Sequence, residues 1–128
     1  MPFGTVFRLA PKPQGEWKEQ VLYEFTGGED RAYPVAGLAF DGGGKVLYGV
    51  TVWGGNPSDC SGGNGIGCGV VFRLTLTNSQ WVETTLHEFV GNQGHSYTGL
   101  ISDPTRHLFG TTIGNGKTTL GSVFKVTP

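Results

Sequence analysis

The stretch Gly4-Thr5-Val6-Phe7-Arg8-Leu9 returns as Gly69-Val70-Val71-Phe72-Arg73-Leu74 and again as Gly121-Ser122-Val123-Phe124-Lys125-Val126. Such an internal repeat decides the architecture before any local assignment, because each copy builds the same supersecondary unit. Further blocks recur in the same order around the hexamer. Residues 17–25 (WKEQVLYEF) match residues 81–89 (WVETTLHEF). Gly37-Leu38-Ala39-Phe40-Asp41 matches Gly99-Leu100-Ile101-Ser102-Asp103, and Leu47-Tyr48-Gly49-Val50-Thr51 matches Leu108-Phe109-Gly110-Thr111-Thr112. The period is 65 residues between the first two hexamers and 52 between the second two. Nine of the 13 extra residues fall between Thr51 and Gly69. Length changes concentrated in one connection are what a surface loop tolerates.

With hydrophobic residues at 37%, charged residues at 15% and 23 glycines in 128, the composition suits short strands joined by tight turns. No segment sustains a helical period. Residues 17–25 alternate instead, with Trp17, Glu19, Val21, Tyr23 and Phe25 expected on one face. Adjoining Val6-Phe7 and Val71-Phe72 predict strands with apolar neighbours on both faces, as in stacked sheets. Nine strands are expected, near 4–9, 17–25, 36–41, 45–52, 69–75, 81–89, 98–103, 107–113 and 121–126. Naming the repeated blocks A (GLxxD), B (LYGxT), C (GxVF) and D (Trp to Phe), the chain reads C-D-A-B-C-D-A-B-C.

Four short strands per unit is the pattern of a β-propeller blade. The expected fold is all-β: two four-stranded antiparallel propeller-like blades plus an extra terminal strand. Residues 1–128 form a single repeat domain, with one unit at about 4–68, a second at about 69–120 and a partial third at 121–128. Two blades alone leave two apolar faces in water, which points to a homo-oligomer. Three chains making six blades is the favoured ring, ahead of a dimer. In such a ring the C-D pair of one chain completes the terminal A-B pair of the next. The first and last C-type strands then compete for one slot, or the last blade gains a fifth strand; the alternative is that the chain is cut from a longer array.

Cys60 and Cys68 lie in the long loop of the first unit. A disulfide closing that loop is the favoured reading, and it implies an oxidising compartment. Zinc would need two more ligands, and no Cys or His lies close by in sequence, so no metal is expected. Asp41 and Asp103 are repeat-equivalent and precede turns, so bonding to the turn backbone explains both better than paired-carboxylate catalysis does. His87, His95 and His107 share no repeated position and read as surface or half-buried residues, with no nucleophile elbow to serve.

Trp17 and Trp81 are equivalent and read as packing residues between blades. Trp53 has no aromatic counterpart; it could stack on a sugar ring, with Asn56, Asp59 and Asn64 completing a polar pocket. Glycine runs lack the helix and Gly-Lys-Ser/Thr of a phosphate loop. A net charge of −1 with dispersed Lys and Arg argues against nucleic acid. No apolar run is long enough to span a membrane. No cofactor is indicated.

The ordered blocks GxVFRL, W-x3-VLYEF, GL-x2-D and LYG-x-T, with a Gly-rich return to GxVF, resemble the GloVer-type tandem repeats of bacterial choice-of-anchor proteins. The resemblance covers nearly the whole chain. It implies a propeller built from many repeats, exported and surface-anchored, and it carries no catalytic residues to transfer. Two departures stand out: Met1-Pro2-Phe3 runs straight into a strand with no signal peptide, and only two full units are present. Function is therefore expected to be that of a non-catalytic binding or interaction module at the cell surface or outside the cell, with a glycan or protein ligand. The alternative is a lectin using Trp53 and the Cys60–Cys68 loop.

Overall fold

The computed structural model describes residues 3–28, 33–56, 60, 67–91, 93–114 and 120–128. Nine strands lie in the nine expected regions: β1 (Thr5–Pro11), β2 (Trp17–Glu24), β3 (Ala39–Phe40), β4 (Val46–Val50), β5 (Val70–Thr77), β6 (Gln80–Glu88), β7 (Ile101–Ser102), β8 (Leu108–Ile113) and β9 (Gly121–Val126). The A-type strands shrink to two residues each, β3 and β7. No helix occurs among the described residues.

Every pairing is antiparallel, in three small sheets: β1-β2, then β3-β4-β5-β6, then β7-β8-β9. The expected two four-stranded sheets are thus one, because only the middle of the chain supplies A, B, C and D consecutively. The C-D pair before it and the A-B-C set after it stand as separate partial sheets. The β5–β6 hairpin turns through Asn78 and Ser79, both at positive φ (49° and 65°). That is the two-residue turn whose twist matches its strands, and Asn is favoured there.

The sheets stack through one repeated contact. Between the first and central sheets, Val6, Phe25, Val70, Phe72 and Leu74 form a buried cluster. Between the central and third sheets the cluster holds Val71, Phe89, Leu100 and Leu108, with Phe124 and Val126 packed on it. Phe25 meets Phe72 edge to face at 5.3 Å and 73°, and their equivalents Phe89 and Phe124 meet at 5.1 Å and 71°. Tyr23–Phe25 and His87–Phe89 repeat a second ring contact, at 5.1 and 5.2 Å. Each ring pair contributes about 0.5–1.5 kcal/mol beyond the area it buries.

The glycine of LYG is part of this contact. A Cβ on Gly49 would stand 2.5 Å from Phe72 Cζ, and one on Gly110 would stand 2.5 Å from Phe124 Cζ. The glycine opening each GxVF hexamer is at positive φ in all three copies (113°, 97° and 115°), a backbone region closed to most side chains.

The simple alternation expected of residues 17–25 does not hold. Val6 pairs with Tyr23 but Phe7 with Val21, leaving Leu22 as a bulge. Leu86 bulges at the same place in the second unit, between His87↔Val71 and Thr85↔Phe72. A bulge sets two successive side chains toward one side. Trp17, Glu19 and Val21 therefore share the Phe7 face, while Leu22, Tyr23 and Phe25 turn to the Val6 side and its core.

Candidate functional site

Only the central C-type strand is covered on both faces. Val71 and Phe72 are both fully buried, whereas Phe7 is 52% exposed and Val123 is 78% exposed. The expectation of two-sided burial thus holds for Val71-Phe72 and fails for Val6-Phe7, where only the valine is buried. Val6, Val71 and Val123 point toward the sheet that follows, and Phe7, Phe72 and Phe124 toward the sheet that precedes. Among the described residues, no further sheet packs on the outward side of Phe7 or of Val123. The equivalent tryptophans divide alike: Trp81 packs against the core between the first two sheets, while Trp17 is exposed.

A second uncovered region lies beside the outer edge of β1, where the first sheet has no A or B strand. Two adjoining grooves of about 370 and 310 Å³ occupy it. Their walls are β1 residues from Thr5 to Leu9 and, opposite, Val35, Leu38, Phe40 and Leu47. Phe40 is 60% exposed there, and its neighbour Ala39, facing the third sheet, is buried. In the third sheet the equivalent of Ala39 is Ile101, which is 71% exposed.

Asp41 and Asp103 do hold their turns. Asp41 Oδ1 accepts from the Gly43 N–H and Asp103 Oδ1 from the Thr105 N–H, both at 2.9 Å. Asp103 also accepts from the Thr105 hydroxyl (2.7 Å) and the His107 N–H (2.8 Å), and its Oδ2 meets His107 Nδ1 at 2.9 Å. The Thr105 hydroxyl bond, then the His107 bonds and charge, hold its carboxyl far below its ordinary value of 3.8, against an opposing desolvation effect. Both aspartates line one polar cleft of about 240 Å³ with Tyr48, Ser102 and Arg106. Sequence spacing gave no sign of that meeting, because it depends on the A-type strands of two units lying side by side.

The described ends of the long loop meet just before β5. The expected Cys60–Cys68 disulfide is present, with Cα atoms 5.4 Å apart. Cys68 is buried and Cys60 half-buried. The loop's return is fixed by close backbone contact, with the Gly69 N–H donating to Gly54 O at 3.0 Å. Thr51, fully buried, donates to Trp53 O (2.8 Å) and accepts from the Val70 N–H (3.2 Å).

Of the four residues expected to form a ligand pocket, Trp53 is half-buried and Asn56 exposed, its N–H donating to Glu88 Oε2 at 3.1 Å. Asp59 and Asn64 lie outside the described residues. The Trp53 ring is in edge-to-face contact with His95, with centroids 4.9 Å apart.

His95 is the residue that sequence reasoning missed. It is one of the three half-buried histidines, lies 27 positions after Cys68, and bridges to Ile113 by two backbone hydrogen bonds. Its Nδ1 meets Val52 O at 3.1 Å. One nitrogen of its ring and the two cysteine sulfurs all lie within 4.8 Å of one another. In the fold, Ile113 donates to His95 O as Val52 donates to Tyr33 O, so His95 occupies the position of Tyr33.

Comparison with family models, with curated proteins and with solved structures found no match. Among the described residues, no helix is long and apolar enough to cross a membrane.

Proposed function

We propose that the chain is a non-catalytic interaction module whose sheets act as propeller blades, and that copies of it join into a ring by completing one another's partial sheets. The carrying observation is the contrast between Ile101 and Phe40, large apolar side chains exposed on opposite faces, and their equivalents Ala39 and Ser102. Inside the chain, the Ser102 hydroxyl reaches Phe40 O between β7 and β3. Between copies, the Ile101 face of β7-β8 meets the Phe40 face of β3-β4 in the same sense.

The incoming β7-β8 pair fills the grooves beside β1 and pairs with its free edge. The joined sheet then has the order A-B-C-D of the central one. Face-to-face stacking of intact partial sheets would leave those grooves open, so strand joining is favoured. It requires that β1 of the second copy replace β9 beside β8. The GxVF equivalence supports the exchange: Phe7 and Leu9 take the places of Phe124 and Val126, and Gly4 that of Gly121. Three chains then give six blades. The disulfide is compatible with an extracellular setting, and the resemblance to choice-of-anchor repeats agrees with it.

Native mass spectrometry tests the assembly, and a cysteine pair tests the strand exchange. Thr112 pairs with Ser122, whose equivalent is Thr5. In Thr5→Cys/Thr112→Cys, the exchange forms disulfides between chains. A monodisperse monomer across the micromolar range, or an oligomer with no such cross-link, overturns the reading.

A further inference from the structure

We propose that Cys60, Cys68 and His95 form a zinc site once the disulfide is reduced, so that this corner carries either a covalent clasp or a metal, according to redox state. The inference is independent of assembly.

The donor set is that of zinc. Two thiolates and an imidazole select a borderline-soft cation over magnesium or calcium, and three protein ligands leave a fourth position for water or an incoming ligand. On reduction the bonded sulfurs must part to the spacing zinc needs, with the histidine already alongside. Two sulfurs on a tetrahedral zinc, each at roughly 2.3 Å, stand roughly 3.8 Å apart. The three ligand atoms already lie within 4.8 Å of one another, on backbones 5.4 Å apart at the two cysteines.

The histidine is prepared for the role. Val52 O can only accept, so in the neutral ring Nδ1 carries the proton and Nε2 presents its lone pair. A carbonyl on one ring nitrogen is the usual support of a histidine that binds metal through the other, so Nε2 is assigned as the ligand atom. The Trp53 ring contact and the two bonds between His95 and Ile113 fix the imidazole from other sides. Cys60 and His95 are half-buried rather than enclosed, which leaves a route of entry.

The chemistry balances with a named reductant. A water-soluble phosphine takes the oxygen of one water and becomes its oxide. The two electrons it gives up break the S–S bond, and the two hydrogens of the water complete two thiols. Zinc then displaces the two thiol protons and binds two thiolates and Nε2.

The test is titration of the full chain, oxidised and phosphine-reduced, with Zn²⁺ under anaerobic conditions against a chromogenic chelator. The reduced protein is expected to take up about one zinc per chain and release about two protons. Substituting Co²⁺ should give an intense thiolate-to-cobalt charge-transfer band. His95→Ala should weaken zinc binding at least roughly tenfold, and His95→Cys should restore it, which separates loss of a ligand from loss of fold. Equal binding by oxidised and reduced protein, no uptake after reduction, or unchanged affinity in His95→Ala would each overturn the proposal.

Discussion

Gly110 lies directly beneath the ring of Phe124, so near that a Cβ there would stand 2.5 Å from Cζ and 3.0 Å from Leu100 Cδ2. Gly49 stands in the same relation to Phe72 and Leu38. Phe72 is fully buried and Phe124 half-buried, so the first ring has no room to retreat and the second has some. Gly49→Ala is expected to cost about 1–3 kcal/mol by overpacking, and Gly110→Ala less. Urea unfolding of the two variants reads the difference, and equal costs would contradict the packing account.

Ile101→Lys and Phe40→Lys change exposed side chains and should leave the monomer's unfolding free energy within about 0.5 kcal/mol of wild type. If copies join as proposed, both should shift the mass in light scattering toward the monomer. Ala39→Lys is the contrast. It buries an unpaired charge and should unfold the chain.

Removing residues 121–128 vacates the edge of β8, which β9 holds through pairs from Leu108↔Val126 to Ile113↔Gly121. With the competitor gone, β1 of a second copy meets an open slot. Sedimentation should show a larger oligomeric fraction at equal concentration, whereas a fall would mean that β9 supports assembly.

The Asp103 carboxyl titrates below its ordinary value because Thr105 and His107 bond its charged form. A depressed folded value means stability that is present above an unfolded value near 3.8 and is lost as pH falls through and below it. Asp103→Asn is therefore expected to unfold more easily at neutral pH and to show a flatter acid limb below about pH 4. Thermal melts from pH 7 to pH 2 check both parts.

Closing an eight-step loop constrains the unfolded chain, and reduction of Cys60–Cys68 without metal should cost about 2–3 kcal/mol. Cys68→Ser should cost more than Cys60→Ser, since only Cys68 is fully buried. Urea midpoints with and without reductant measure both.

Most of the strand map was legible because each strand carries its own signal: GxVF, the Trp-to-Phe block, and glycines at the ends. The loop disulfide was legible from two cysteines in one loop. What the sequence hid was set by partners. Val6, Val71 and Val123 are the same residue in the same motif, yet only the neighbouring sheet decides which of them is buried. The 2-4-3 division follows from which strands the chain supplies in succession, which no single hexamer shows. The Leu22 and Leu86 bulges break an alternation that reads as unbroken in WKEQVLYEF. His95 meets the cysteines through tertiary contacts, with Ile113, Val52 and Trp53, that no sequence motif announces.

The bulges have a consequence for how these strands tolerate insertion and deletion. Elsewhere in β2 or β6, losing one residue moves the flanking side chains to opposite faces and exchanges core for solvent. Losing Leu22 or Leu86 does not, because Val21 would still lie opposite Phe7, Tyr23 opposite Val6, and the alternation would become regular. The strand would forfeit one apolar side chain and keep its orientation. Each D-type strand thus has one address at which its length can change without turning the sheet inside out.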